Sequence, residues 1–233
     1  MGLWGTSDSS SPRSTPPPRR NNSGSQPSPR NTPTAGFRSA YQALVRRKLS
    51  EMGGHWAHEN RRTRAAEAAR RAAAEIARRI GRLTGRQPAD STIRRNASRD
   101  TAPTGVDPEW LHRQAHIDTA GGIAKFAALL GVSEYATRTW RDTGRPLIPH
   151  STDVNADVEG ILWVNGEEYP RSMTVVLTLQ PGPEADEIRI AYAHSDLDTI
   201  AELLGPLIAE EVDWAGEADR TYEVTDISRI TVS

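Results

Sequence analysis

GGIAKFAALLGVSEYATRTWRDTG, Gly121 to Gly144, decides how the helical part of this chain is read. Ile123, Phe126, Ala127 and Leu130 recur at the spacing of one helical face. Gly131 permits a bend with positive φ, Val132 plugs the corner, and Ser133 stands where it caps a second helix ending near Trp140. A small residue at Ala127, a glycine four residues on and an apolar residue after it form the helix-turn-helix pattern. Such a pair lays its second helix in the major groove with its N-terminal side chains at base edges. Here those side chains are Ser133, Glu134, Tyr135, Thr137 and Arg138, with Arg141 near phosphate. Thr137 occupies the position where an Ile or Val usually anchors the second helix, and Tyr135 or Ala136 offers a register shifted by one. An ordinary helical hairpin is the plainer alternative.

Upstream, IARRIGRLTGRQPADSTIRRNASR (76–99) reads as a weaker second copy. Ile76, Ile80 and Leu83 face inward, Gly85 to Pro88 makes a longer turn, and Asp90 or Ser91 caps the next helix. Ser91, Thr92, Arg94, Arg95 and Arg99 would then face DNA. The helix before that turn is rich in Ala, Arg and Glu, with an apolar face of alanine until Ile76, so only its C-terminal end reads as well packed. Its pairs Arg61-Arg62, Arg70-Arg71 and Arg78-Arg79 form either a solvated face or a phosphate-facing stripe. FRSAYQALVRRKLSEM (37–52) is a further helix, with Phe37, Tyr41, Leu44, Val45 and Leu49 on one side. Residues 1–36 are Ser, Pro, Asn and Arg with almost nothing to bury, which predicts a disordered basic arm.

Downstream the texture turns to β. DVEGILWVNGEEYP (157–170) places Asn165-Gly166 between two β-prone stretches, a strong hairpin signal. RSMTVVLTL (171–179) continues the second strand, and DEIRIAYAH (186–194) reads as another strand. DLDTIAELLGPLIAEEVDWAG (196–216) is an amphipathic helix capped by Asp196 and kinked or divided at Pro206. TYEVTDISRITVS closes the chain in strand. The expected fold class is α+β, in three parts. These are a disordered arm (1–36), an α-helical DNA-binding region with one or two helix-turn-helix units (37–150), and a small acidic α+β domain with an antiparallel sheet (151–233).

Charge supports that division. Residues 1–100 hold 20 basic and 7 acidic side chains, whereas residues 151–233 hold 4 basic and 18 acidic. The basic end suits nucleic acid and the acidic end would be repelled by it. The chain has no cysteine, so disulfides and thiolate sites are excluded. No apolar run approaches the roughly 20 residues of a membrane helix, which points to a cytoplasmic, nucleoid-associated protein without membrane contact. The six histidines read as surface residues; His55, His58 and Glu59 lack the His-Glu-x-x-His spacing, and no metal or cofactor is expected. With no Gly-rich phosphate loop and no nucleophile elbow, the chain reads as a binding protein rather than an enzyme.

AALLGVSEYATRTW (127–140), GILWV (160–164), MTVVLTL (173–179) and EVTDISRI (223–230), in that order behind a basic arm and an Arg-rich helix, carry a resemblance. Over roughly residues 70–233 the chain resembles the terminal proteins that cap telomeres of linear actinomycete chromosomes and plasmids. The long arm and the first helix pair depart from the short family form. The resemblance implies a protein on telomeric DNA whose Ser or Thr hydroxyl is joined to the 5′ end and primes synthesis. Its implied partners are a DNA polymerase and a telomere-associated replication protein. Ser172 is the first candidate for attachment, with Arg171 beside it for phosphate; Ser151, Thr152 and Thr174 follow, all expected in loops bordering the first strands. Part of the stripe Ile200, Leu203, Leu204, Leu207, Ile208 and Val212 is expected to cover the local sheet, and the remainder offers a surface for homodimerisation through 151–233 or for a replication partner. The competing expectations are a transcriptional or plasmid regulator with an acidic dimerisation domain, and a non-specific nucleoid or phage structural protein.

Overall fold

Helices in the computed structural model, which describes residues 36–212, 214 and 219–233, begin and end largely where the sequence supplies caps. The predicted arm lies almost wholly outside the described residues. Helix α1 spans Phe37–Ser50 and α2 spans Arg61–Thr84, its first turn capped by the Asn60 side chain, which accepts from the Thr63 N–H. Gly85, at φ 74°, closes α2, and α3 follows as Asp90–Arg99. Its N-cap is Ala89 rather than Asp90 or Ser91; Asp90 sits one residue further in, where its carboxylate favours the positive end of the helix dipole.

Helix α4, Pro108–Thr119, was not anticipated. Its signal is Asp107-Pro108: the Asp107 carboxylate accepts from the Glu109 and Trp110 N–H groups, and proline at the first helical position has no N–H to leave unpaired. The predicted bent pair follows as α5, Ile123–Leu130, and α6, Glu134–Thr143. The alanine face of α2 is packed well before Ile76. Ala68, Ala72, Ala73 and Ala77 are all buried, and three of them share a cluster with Phe37 and Leu44 of α1. Their small side chains let the neighbouring backbones approach, so alanine here marks a close contact. Leu83, expected inside, is exposed instead.

Strands β1 (Thr152–Val164), β2 (Glu167–Leu179) and β3 (Arg220–Val232) form an antiparallel sheet in the order β2-β1-β3. Asn165 and Gly166 both take positive φ, 53° and 86°, as a two-residue type I′ turn requires. Side chains alternate along β1, with Val154, Ala156, Val158 and Leu162 buried between exposed neighbours such as Asn155 and Glu159. The buried face packs against helices and the other face is open. The stretch read as a third strand is helical: α7 runs Pro183–Ala193. Pro183 starts it, Glu184 and Asp186 suit its first turn, and the inward residues Ala185, Ile188 and Ala191 fall three apart, which is helical spacing.

Helix α8, Leu197–Glu211, starts at Asp196, whose side chain accepts from the Thr199 N–H, and it runs through Pro206 as one element. Ile200, Leu204 and Ile208 are fully buried against the sheet. Gly205 makes this approach possible: a Cβ there would lie 2.4 Å from the Tyr222 carbonyl oxygen of β3. The stripe proposed for dimerisation is therefore largely used within the chain, with Leu203, Leu207 and Val212 packed against the same cluster.

The expected division at 150/151 is bridged by α7. One side of it, at Ala185, Ile188 and Ala191, belongs to the sheet core. Ile190 belongs to a different cluster, with Ile117 of α4, Phe126 of α5, Trp140 of α6 and Leu147. The Leu147 N–H donates to both carboxylate oxygens of Asp186, at 3.1 and 3.2 Å.

Candidate nucleic-acid interface

Helices α4, α5 and α6 form a three-helix unit around Phe126 and Trp140, whose rings stack 5.3 Å apart. Gly131, at φ 67°, makes the bend, and the Val132 N–H returns to the Ala127 carbonyl at 2.9 Å. Ser133 caps α6 by accepting from the Ala136 N–H at 3.0 Å. The bend at Gly131 and the cap at Ser133 thus lie between two helices where the sequence placed them.

The frame sorts the candidate contacts. Tyr135 is 78 % exposed, and Glu134 and Arg138 share its open surface. Thr137 is 0 % exposed and its hydroxyl donates to the Ser133 carbonyl, so it anchors α6 and is withdrawn from the DNA-contact set. The hydroxyl satisfied inside its own helix explains how threonine fills a place usually held by Ile or Val. Arg138 pairs with Glu134, while Arg141 holds both oxygens of Asp142 at 2.6 and 2.7 Å. A phosphate approaching either arginine must therefore displace a carboxylate. Thr137→Val is expected to leave DNA affinity unchanged and to alter stability by about 1 kcal/mol or less. Thermal denaturation and duplex titration check this, and a tenfold affinity loss would return Thr137 to the interface.

On α3, Ser91, Arg94, Arg95 and Arg99 are exposed and Thr92 is half-buried, while Ile93 and Ala97 face inward. Arg38 fastens this helix to α1. Its backbone N–H donates to Asp100 at 2.7 Å, and its guanidinium donates to the Ser98 carbonyl at 2.7 Å and the Ala97 carbonyl at 3.2 Å. Two of the three arginine pairs of α2 are matched by carboxylates, while Arg61 and Arg62 are exposed in its first turn. Arg70 and Arg71 pair with Glu67, and Arg78 and Arg79 pair with Glu75. The Arg79 side chain is only 11 % exposed and grips Asp118 of α4 at 2.6 Å, while Arg47 of α1 reaches the same carboxylate at 2.9 Å. Arg47, Glu75 and Arg79 border an open cavity of about 540 Å³, where Arg82 of α2 and Arg141 of α6 add two more guanidinium groups.

A histidine cluster corrects the expectation that all six histidines lie at the surface. His116 is fully buried, and its Nε2 lies 3.1 Å from the Nε2 of His112 one turn earlier on α4. Glu187 of α7 faces both, its Oε1 3.2 Å from the His112 Nε2 and its Oε2 3.2 Å from the His116 Nε2. Burial alone would raise the Glu187 carboxyl, but its bonds to His112 and His116 hold it far below the usual carboxylate range. The same bond to Glu187, working against burial, raises His112. Asp186 beside it is pushed up to about 6 by burial, only partly offset by the Leu147 N–H. Spacing of i and i+4 on one helix was visible in the sequence; the third member, far downstream on a helix misread as a strand, was not.

The attachment candidates separate as well. Thr152 is buried within β1 and its hydroxyl accepts from Arg189 at 2.7 Å. Thr174 lies inside β2 and donates to Asp157 at 2.7 Å. Ser151 is half-buried in the loop just before β1, as expected, and its carbonyl accepts from Arg189. Ser172 is exposed, yet it sits mid-strand opposite Glu159 and not in a loop. Strand alternation turns Arg171 to the other face, where its guanidinium lies over Tyr169, so it does not flank the Ser172 hydroxyl. Among the described residues no helix is long and apolar enough to cross a membrane. No protein-family model, curated protein or solved structure matches the chain.

Proposed function

We propose that this chain is a DNA-binding protein that reads duplex DNA with α6. The observation that carries this reading is the α5–α6 frame: a positive-φ glycine bend, a serine cap, and Tyr135 and Arg138 projecting from the first half of the second helix. Exposed arginines on α3 supply a second basic surface suited to phosphate. The open sheet face, with Asp153, Glu159 and Asp226, is turned to other work because phosphate repels it.

Selection of bound sequences from a random duplex pool tests the reading. Arg138→Ala is expected to cost about 1–3 kcal/mol on the selected site and to relax preference there. Absence of sequence enrichment, together with unchanged affinity in a Tyr135→Ala/Arg138→Ala double variant, would overturn it. Weak, steeply salt-dependent binding without preference would instead match the nucleoid or phage structural role.

One specific version is the telomere terminal protein, with Ser172 as the exposed hydroxyl; Glu159 opposite it and the turning away of Arg171 weigh against this version. In that role the Ser172 oxygen attacks the α-phosphorus of a deoxynucleoside triphosphate held by a DNA polymerase. A Ser–O–P ester forms, pyrophosphate leaves, and the hydroxyl proton passes to the polymerase site. Host extract with α-labelled dNTP is expected to label the wild-type chain and not Ser172→Ala. An unlabelled wild-type chain that protects an internal operator would identify a regulator instead.

A further inference from the structure

We propose that His112, His116 and Glu187 form a binding site for a zinc-class divalent cation that fastens α4 to α7. This inference does not depend on the DNA-binding reading. One donor atom from each residue falls within 4.8 Å of the others. Spacing of i and i+4 brings both imidazoles to one face of α4, and α7 delivers the carboxylate opposite them.

The distances suit a metal. Bonds of about 2.0–2.2 Å in a tetrahedral zinc site put neighbouring donor atoms roughly 3.3–3.5 Å apart. Here the two Nε2 atoms lie 3.1 Å apart, and Glu187 sets one carboxylate oxygen 3.2 Å from His112 and its other oxygen 3.2 Å from His116, so a metal would draw the carboxylate in through one oxygen or hold both. Protons alone leave this triangle incomplete. If each Nε2 carries a hydrogen for Glu187, two donors abut at 3.1 Å with no proton between them. If instead one imidazole donates to the other, the acceptor ring turns a lone pair toward a carboxylate oxygen. A cation at the centre accepts all three lone pairs at once.

Chemistry and access narrow the choice of ion. Two imidazoles and one carboxylate favour zinc and its late-transition neighbours over magnesium or calcium, which prefer all-oxygen cages. The His112 and Glu187 side chains are 21 % and 24 % exposed while His116 is fully buried, so the site opens to solvent on one side. A water can complete the coordination there. Nδ1 of each histidine is buried without a hydrogen-bond partner. A ligating histidine usually donates its other ring N–H to an acceptor, and lacking one is expected to weaken binding roughly 10–100-fold.

The test uses the full chain, purified without a polyhistidine tag, stripped with chelator and titrated with Co²⁺. The expected result is the strong visible absorption of four-coordinate cobalt at one ion per chain, abolished by Zn²⁺ and untouched by excess Mg²⁺. His112→Gln and Glu187→Gln alter the two partly exposed ligands, and each is expected to weaken binding about 100-fold or more while circular dichroism is unchanged. A His55→Ala/His58→Ala control is expected to bind as the wild type does. Absence of the band in the wild-type chain would overturn the proposal, even if the ligand variants failed to fold. So would its survival in both ligand variants, or its loss in the control.

Discussion

Asp118→Ala is expected to destabilise the protein by about 3–5 kcal/mol. The Asp118 side chain is 2 % exposed and receives Arg79 through two bonds, at 2.6 and 3.1 Å, and Arg47 through a third at 2.9 Å. Removing it leaves the enclosed Arg79 with Glu75 alone, and that carboxylate is already shared with Arg78. An uncompensated buried guanidinium is costly because its lost hydration is no longer offset by a nearby charge. The same change breaks an ionic clamp across three helices, since Arg47 lies on α1, Arg79 on α2 and Asp118 on α4. Asp118→Asn keeps the volume and an acceptor oxygen, so its loss should be smaller. Urea denaturation measures both, through the midpoint at an unchanged slope. A loss below about 1 kcal/mol in Asp118→Ala would mean that Arg79 escapes to water and that the clamp does not hold the helices together.

Phe126→Ala should cost a similar amount, about 3–5 kcal/mol. Its ring is fully buried, lies within 14° of parallel to Trp140, and shares a cluster with Ile117, Leu147 and Ile190. The lost transfer free energy is joined by the cost of a cavity that four separate elements line and cannot easily close. Because Trp140 is the main inward side chain of α6, the cavity also releases the helix that presents Tyr135 and Arg138. Duplex affinity should therefore fall by more than the unfolded fraction explains, measured below the melting temperature. Retention of full stability would show that α4, α5 and α6 do not share this core.

What the sequence disclosed was mostly local turn chemistry. Gly131 and Ser133 specify the bend between α5 and α6 within three residues, and Asn165-Gly166 specifies the hairpin within two. The missed elements had local signals too, but competing ones were louder. In α7, Ile188, Ile190 and Tyr192 alternate like a strand, while the quieter signal of a helix lies in Pro183 and the acidic first turn. Other features have no local signature at all. The burial of Thr137 depends on how α6 seats against its neighbours, and the joining of His116 to Glu187 depends on a helix packing across the chain. The alanines of α2 illustrate the same limit, because a small side chain is equally compatible with water and with a close helix contact.

Helix α7 constrains how this protein can be taken apart. Its two sides are walls of two different cores, so a cut after His150 strips Ile190 of its neighbours and leaves Asp186 without the Leu147 N–H. A helix-turn-helix segment is often regarded as a cassette that recombination can trade between proteins. Here the fourth wall of the α4–α6 core is encoded downstream, beyond a strand hairpin, and an exchange at that seam would yield two incomplete proteins. The expected signature is a single cooperative unfolding transition for the described body, with both halves melting together. Selection would then act on the pair as one inheritance unit.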